Sequence, residues 1–145
     1  MGLVELASNK SVWRGMDYYQ KKKVCSWVKT GDGTYDGIVS GSERNRYSVH
    51  IDKIHPRKSA CNCPFADGRR VICKHMIALY FTVEPEAAEN FLKEVEKWER
   101  EEEEREQRHF KELREYVNSL SKTELREQLY DALIELENMG SRYWY

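Results

Sequence analysis

The sequence predicts an α+β fold: an N-terminal helix, a small antiparallel sheet of three to four strands with a ligand-rich segment and a short helix, then a helical hairpin or one long helix. Three observations predict it. Apolar residues change period along the chain, from helical spacing to alternation between residues 24 and 52, and back to helical spacing after residue 75. Three of the four cysteines crowd into residues 61–75, which read Cys-Asn-Cys-Pro-Phe-Ala-Asp-Gly-Arg-Arg-Val-Ile-Cys-Lys-His. Charge then divides the chain: residues 1–83 carry a formal +7 and residues 84–145 carry −8, within a total of −1.

This division sets the predicted organisation, a metal-binding domain over residues 1–83 and an acidic helical region over residues 84–145. With 145 residues, 40% of them hydrophobic and 34% charged, the chain has room for one domain with an appendage or for two small domains. No apolar stretch is long enough to span a bilayer, and the first residues lack the pattern of a secretory signal. The sequence therefore predicts an intracellular, cytoplasmic protein with no membrane partner.

Taken in order, residues 1–10 show no period. Ser11 offers an N-cap for a helix over residues 12–23, with Trp13, Met16 and one of Tyr18 and Tyr19 on its buried face. Gly15 would allow close packing, and Lys21, Lys22 and Lys23 suit the negative end of the helix dipole. Strands are expected over residues 24–29, 34–40 and 46–52, with Gly31-Asp32-Gly33 and Gly41-Ser42-Glu43 as turns, which makes a meander. Tyr47, Val49 and Ile51 alternate with polar residues on the third strand. A fourth short strand is expected over residues 59–63. Cys25 reads as a small core hydrophobe.

After His75 the apolar run predicts a buried helix over residues 76–83. Pro85 fits the first position of the next helix, where its missing N–H has no intrahelical partner. Residues 86–120 form a charged helix, with Glu89 and Lys93, Glu96 and Arg100, Glu101 and Arg105, and Glu104 and Arg108 at i, i+4 spacing. Its apolar stripe starts with Phe91, Val95 and Trp98, breaks, and resumes with Leu113, Tyr116 and Leu120. These last three would pair with Leu125, Leu129 and Leu133 in a hairpin. Ser121 and Glu124 form a capping box for the final helix, Gly140 serves as its C-cap, and aromatic residues close the chain.

The chemistry lies in the two short clips, Cys61 with Cys63 and Cys73 with His75. Four thiolate or imidazole ligands match a tetrahedral structural zinc, and two clips joined by a turn deliver them without bending either segment sharply. Residues i and i+2 share a face on an extended strand, so Cys61 and Cys63 can point at one ion. Cys73 and His75 must sit in a turn or in the first loose turn of the helix. Disulfide pairing is the alternative, which a reducing compartment disfavours. Four protein ligands leave no open position beside a general base, so the zinc is read as structural and the chain as no enzyme. Two S-x-x-K matches, Ser26 to Lys29 and Ser119 to Lys122, lack the companion motifs of enzymes that use them.

The pattern C-x-C-x9-C-x-H, with Pro64 after the second Cys and Cys73-Lys74-His75-Met76-Ile77-Ala78-Leu79 at the far end, resembles the SWIM-type zinc finger. Upstream, Arg14-Gly15-Met16-Asp17-Tyr18-Tyr19, Val24, Gly41 and Tyr47-Ser48-Val49 resemble the segments that precede the finger in prokaryotic members. The resemblance covers roughly residues 12–82 and implies binding to DNA or to protein partners. Arg57, Lys58, Arg69, Arg70 and Lys74 flank or lie within the finger and are the candidate contacts for nucleic-acid phosphates. The rival reading is a protein-interaction adaptor, or a chain that self-associates, with the acidic helices carrying the partner surface.

Overall fold

The computed structural model describes residues 2–141. They form two compact units, divided between Glu94 and Val95. The first unit opens with a single helical turn, α1 (Leu3–Leu6), and α2 (Asn9–Gln20). A four-stranded antiparallel sheet follows in the order β1 (Val24–Gly31), β2 (Thr34–Ser40), β3 (Arg46–Asp52) and β4 (Ala60–Cys61). A 3-10 turn, Pro56–Lys58, links β3 to β4. Then come α3 (Lys74–Val83) and α4 (Pro85–Ser119), whose first turns belong to this unit.

The unit is organised around α3, which touches α2 and every strand. Its Met76, Ile77, Ala78, Leu79 and Phe81 are fully buried, so this short helix is apolar on nearly all sides. Val39 of β2, together with Val49 and Ile51 of β3, meets it from the sheet. Leu3, Val12 and Met16 meet it from the N-terminal helices, and Ala88 of α4 joins the same core. Full burial of one such side chain contributes about 1.5–3 kcal/mol, so the small core rests largely on the α3 cluster. The approach of α2 to α3 depends on Gly15. A Cβ there would lie 2.5 Å from Cβ of Ile77 and 2.9 Å from the carbonyl oxygen of Lys74.

The meander forms as its turn residues dictate. Gly31 pairs with Thr34 across Asp32-Gly33, and Gly33 has φ +71°, the left-handed conformation such a tight hairpin requires. Val49 and Ile51 point into the core and Tyr47 is half-buried, as the alternation predicts.

Several local expectations need correction. The cap of α2 is Ser8, whose hydroxyl accepts the N–H of Ser11; Ser11 itself is buried in the first turn. The helix therefore begins and ends earlier, with Lys21 as its C-cap and Lys22 beyond it at φ 54°. Val12 takes the buried place expected for Trp13, which is 42% exposed and packs edge-on against Phe91. The segment that shows no period in the sequence holds a helical turn, Leu3–Leu6, and Leu3 is a core residue. Cys25 is exposed, because β1 is an edge strand whose residues from Cys25 onward lie outside the core.

The second unit holds the rest of α4 and α5 (Lys122–Ser141). The capping box forms as expected: the Ser121 N–H donates to the Glu124 carboxylate at 2.8 Å, and the Glu124 N–H donates to the Ser121 hydroxyl at 3.2 Å. Gly140 lies inside α5 rather than capping it, and residues 142–145, which include the closing aromatics Tyr143, Trp144 and Tyr145, fall outside the described residues. None of the four expected i, i+4 pairs forms. The ion pairs of α4 are instead Lys97–Glu101, Arg105–Glu102 and Lys111–Glu115, all exposed, and such pairs contribute little. The predicted hairpin contacts are also absent among the described residues, for Leu113, Tyr116, Leu125, Leu129 and Leu133 remain exposed. A stripe of apolar residues says that a face favours cover, but carries no information about what covers it. No helix of the described residues is long and apolar enough to cross a membrane.

Candidate metal centre and basic surface

Three local structures bring the cysteines and histidine together. Cys61 ends β4, held in register by its pairing with Val49 of β3. Cys63 follows at the start of a tight turn, where its carbonyl accepts the N–H groups of Ala66 and Asp67 at 3.1 and 2.9 Å. Gly68 carries this turn through φ +68°, a conformation that costs glycine nothing and other residues a steric clash. Cys73 is the extended N-cap of α3, and His75 sits in the first helical turn, which is where a C-x-H clip can direct both side chains to one point.

The four side chains converge, with their ligand atoms within 4.8 Å of one another and all four residues buried. Nδ1 of His75 stands 3.8 Å from the Sγ atoms of both Cys61 and Cys73. A tetrahedron with Zn–S bonds of about 2.3 Å has edges of about 3.8 Å, so the donor set fits zinc in identity and in size. All four cysteines are free thiols, which removes the disulfide alternative. Cys73 ionises first: the hydrogen bond from Cys61 lowers its pKa to about 4. The same bond pushes the Cys61 thiol up, and burial raises Cys63. Three such thiols crowded in a buried pocket resist full ionisation until a cation neutralises them, and zinc supplies that charge.

Four protein ligands around a buried centre match the ligand set of a structural zinc finger. Residues 47–84 match the model of the SWIM zinc finger family, and the chain carries a SWIM zinc finger that binds zinc. No curated protein and no solved structure matches the chain.

The five candidate phosphate contacts line several different depressions of the surface. Arg57 and Arg70 line a common depression with Leu6 and Ile72, while Arg69 and Arg70 line another beside the Cys63–Gly68 turn. Lys58 is exposed next to Arg57. Arg69 is anchored, donating to the carbonyl of Phe65 at 3.1 Å with its guanidinium over the Phe65 ring. Lys74 has its ammonium 4.6 Å from the centroid of the Tyr18 ring. It shares a cavity with Lys10 and Arg14. Their meeting with Lys74 has no signal in the sequence, because only the packing of α2 on α3 brings them together.

Proposed function

We propose that this chain is a non-enzymatic module in which zinc, held by Cys61, Cys63, Cys73 and His75, fixes a scaffold that binds nucleic acid, DNA foremost. The functional division follows the charge, a basic zinc-binding domain over residues 1–83 and an acidic helical region over residues 84–145. The observation that carries the reading is the placement of Arg57, Arg69 and Arg70 on turns braced by the metal clips. These cations are exposed and have no carboxylate partner among the described residues. A rigid turn presenting unpaired cations grips phosphates at little entropic cost, and such contacts position a protein on a strand without reading its sequence. Lys58 and Lys74 would add contacts at the margins.

Gel-shift titrations with single- and double-stranded DNA at several salt concentrations test this. Affinity should fall steeply with salt. Replacing Arg69 and Arg70 with Gln should reduce the slope of log affinity against log salt by about 0.7–0.9 for each phosphate no longer neutralised. An unchanged slope would place the phosphate-binding cations elsewhere.

A second reading, a protein-interaction adaptor, is supported by the apolar side chains of α5. Leu129, Leu133 and Leu136 are 61%, 55% and 63% exposed. Exposed apolar residues in such concentration mark interaction surfaces. Sedimentation equilibrium distinguishes the two: a concentration-dependent oligomer together with indifference to DNA would favour the adaptor.

A further inference from the structure

We propose, building on the nucleic-acid reading above, that the ligand is a single strand and that Phe65 stacks on one of its bases. Phe65 lies in the turn that follows Cys63 and is 49% exposed. One exposed apolar residue is ordinary on a protein surface. Phe65 is set apart by how it is held and by what surrounds it.

The hold comes from the turn. The carbonyl of Cys63 accepts the N–H groups of Ala66 and Asp67, and the N–H of Arg69 donates to the carbonyl of Ala66 at 2.9 Å. Ala66 is 2% exposed and belongs to the core, so the backbone that carries Phe65 is pinned by that burial on one side and by a metal ligand on the other. The Phe65 side chain stays outside the core. Among the aromatic residues of the first unit it alone has no ring partner among the described residues. Trp13 and Trp27, also exposed, pack edge-on against Phe91 and Tyr35. A fixed aromatic face without a partner loses little conformational entropy when a flat group covers it.

The surroundings supply charge. The Arg69 guanidinium lies over the ring, 5.2 Å from its centroid, and Arg69 lines a depression with Arg70. Phe65 itself borders the cavity lined by Lys10, Arg14 and Lys74. Phe65 and Arg69, in contact with each other, thus join two depressions that hold five cations between them and a single carboxylate, that of Asp67. The ligand that suits this surface is a polyanion with flat groups along its length. A nucleic-acid strand has that chemistry, with phosphates for the cations and bases for the ring. In a duplex the bases are stacked on one another and closed to the ring, whereas an unpaired base can splay out onto an aromatic side chain.

The test uses the zinc-loaded full chain and fluorescence anisotropy with probes of one length: a mixed-sequence DNA strand, the same strand in RNA, the DNA duplex, and an abasic strand that keeps the phosphates and lacks the bases. At least one intact single strand should bind about five-fold or more tightly than the abasic strand, the scale of one base stacked on an aromatic ring. The tighter of the DNA and RNA strands identifies the sugar that the site favours. Phe65→Ala should remove this advantage and leave duplex and abasic binding unchanged, while Phe65→Trp should keep it. Arg69→Gln with Arg70→Gln should weaken the intact and abasic strands alike. In the parent protein the ring-proton resonances of Phe65 should move upfield on addition of the intact strand and stay in place with the abasic one. Equal binding of intact and abasic strands, an advantage that survives Phe65→Ala, or unmoved Phe65 resonances would overturn the stacking proposal and spare the nucleic-acid reading. Failure of every probe to bind would overturn that reading as well.

Discussion

Substituting Gly15 with alanine isolates the approach on which the first unit is assembled. In an open helix the change is favourable, because alanine exceeds glycine by about 0.8–1.0 kcal/mol in helix propensity. At Gly15 the new Cβ would lie 2.5 Å from Cβ of Ile77 and 2.9 Å from the Lys74 carbonyl oxygen. Neither neighbour yields cheaply. Ile77 is 0% exposed, and the oxygen belongs to the backbone of the turn that carries His75. Overpacking of this kind costs about 1–3 kcal/mol, and two immovable neighbours put Gly15 in the upper part of that range. The net loss after the propensity gain is about 1–2 kcal/mol, which for a unit of this size lowers Tm by about 5–15 °C. Thermal unfolding followed by near-ultraviolet circular dichroism measures it on the zinc-loaded chain. Gly140→Ala is the control, since nothing lies within 4 Å of a Cβ there. It should be neutral or stabilise by up to about 1 kcal/mol. A Gly15→Ala protein as stable as the parent would refute the close α2–α3 approach.

Three further perturbations separate the remaining claims. Asp52 is buried and accepts the N–H groups of Ile54 and His55 at 2.9 and 2.8 Å, and the His55 bond foremost holds its pKa below the usual aspartate value. Its contribution is therefore present above about pH 4, the ordinary unfolded value, and is lost as pH falls through the lower folded value. Asp52→Asn should cost about 1–2 kcal/mol at pH 7, and the gap from the parent should close in acid; a gap independent of pH would contradict the assignment. A strong chelator should abolish the near-ultraviolet signal of the first unit while leaving most of the helical signal, to which α5 and the exposed part of α4 contribute, and a fully retained near-ultraviolet signal would show that the core stands without metal. Cys25→Ser, at an exposed edge-strand position, should change stability by less than about 0.5 kcal/mol and leave metal content unchanged, whereas metal loss would make Cys25 a ligand.

The zinc ligands are legible in the sequence because their chemistry is local: four donors in two clips, with Gly68 between them, leave few geometries. The meander is legible for a related reason. Gly33 and the alternation of Val49 and Ile51 encode turn and face within a few residues. Sequence and structure part where a position depends on distant packing. Ser8 and Ser11 are both competent caps, and only the burial of Leu3 and Ser11 against the rest of the unit selects the earlier one. Trp13 and Val12 are both apolar, and their roles follow from where α3 lies. Cys25 reads as internal because edge and central strands share a composition, and strand order is a tertiary property. The meeting of Lys74 with Lys10 and Arg14 in one cavity is invisible in the spacing, since it follows from the approach that Gly15 permits.

Fold and proposed function alike depend most on a closed centre made of three sulfurs and one nitrogen. X-ray absorption at the zinc edge, on protein purified without added metal and checked for one zinc per chain by native mass spectrometry, examines it directly. The expected first shell is three sulfurs at about 2.3 Å and one nitrogen at about 2.0–2.1 Å, with no oxygen. Cys73→Ser should remove one of the sulfurs or the metal altogether. A shell containing a water oxygen in place of His75 or of any thiolate, or a chain that carries no zinc, would contradict a closed Cys3His centre.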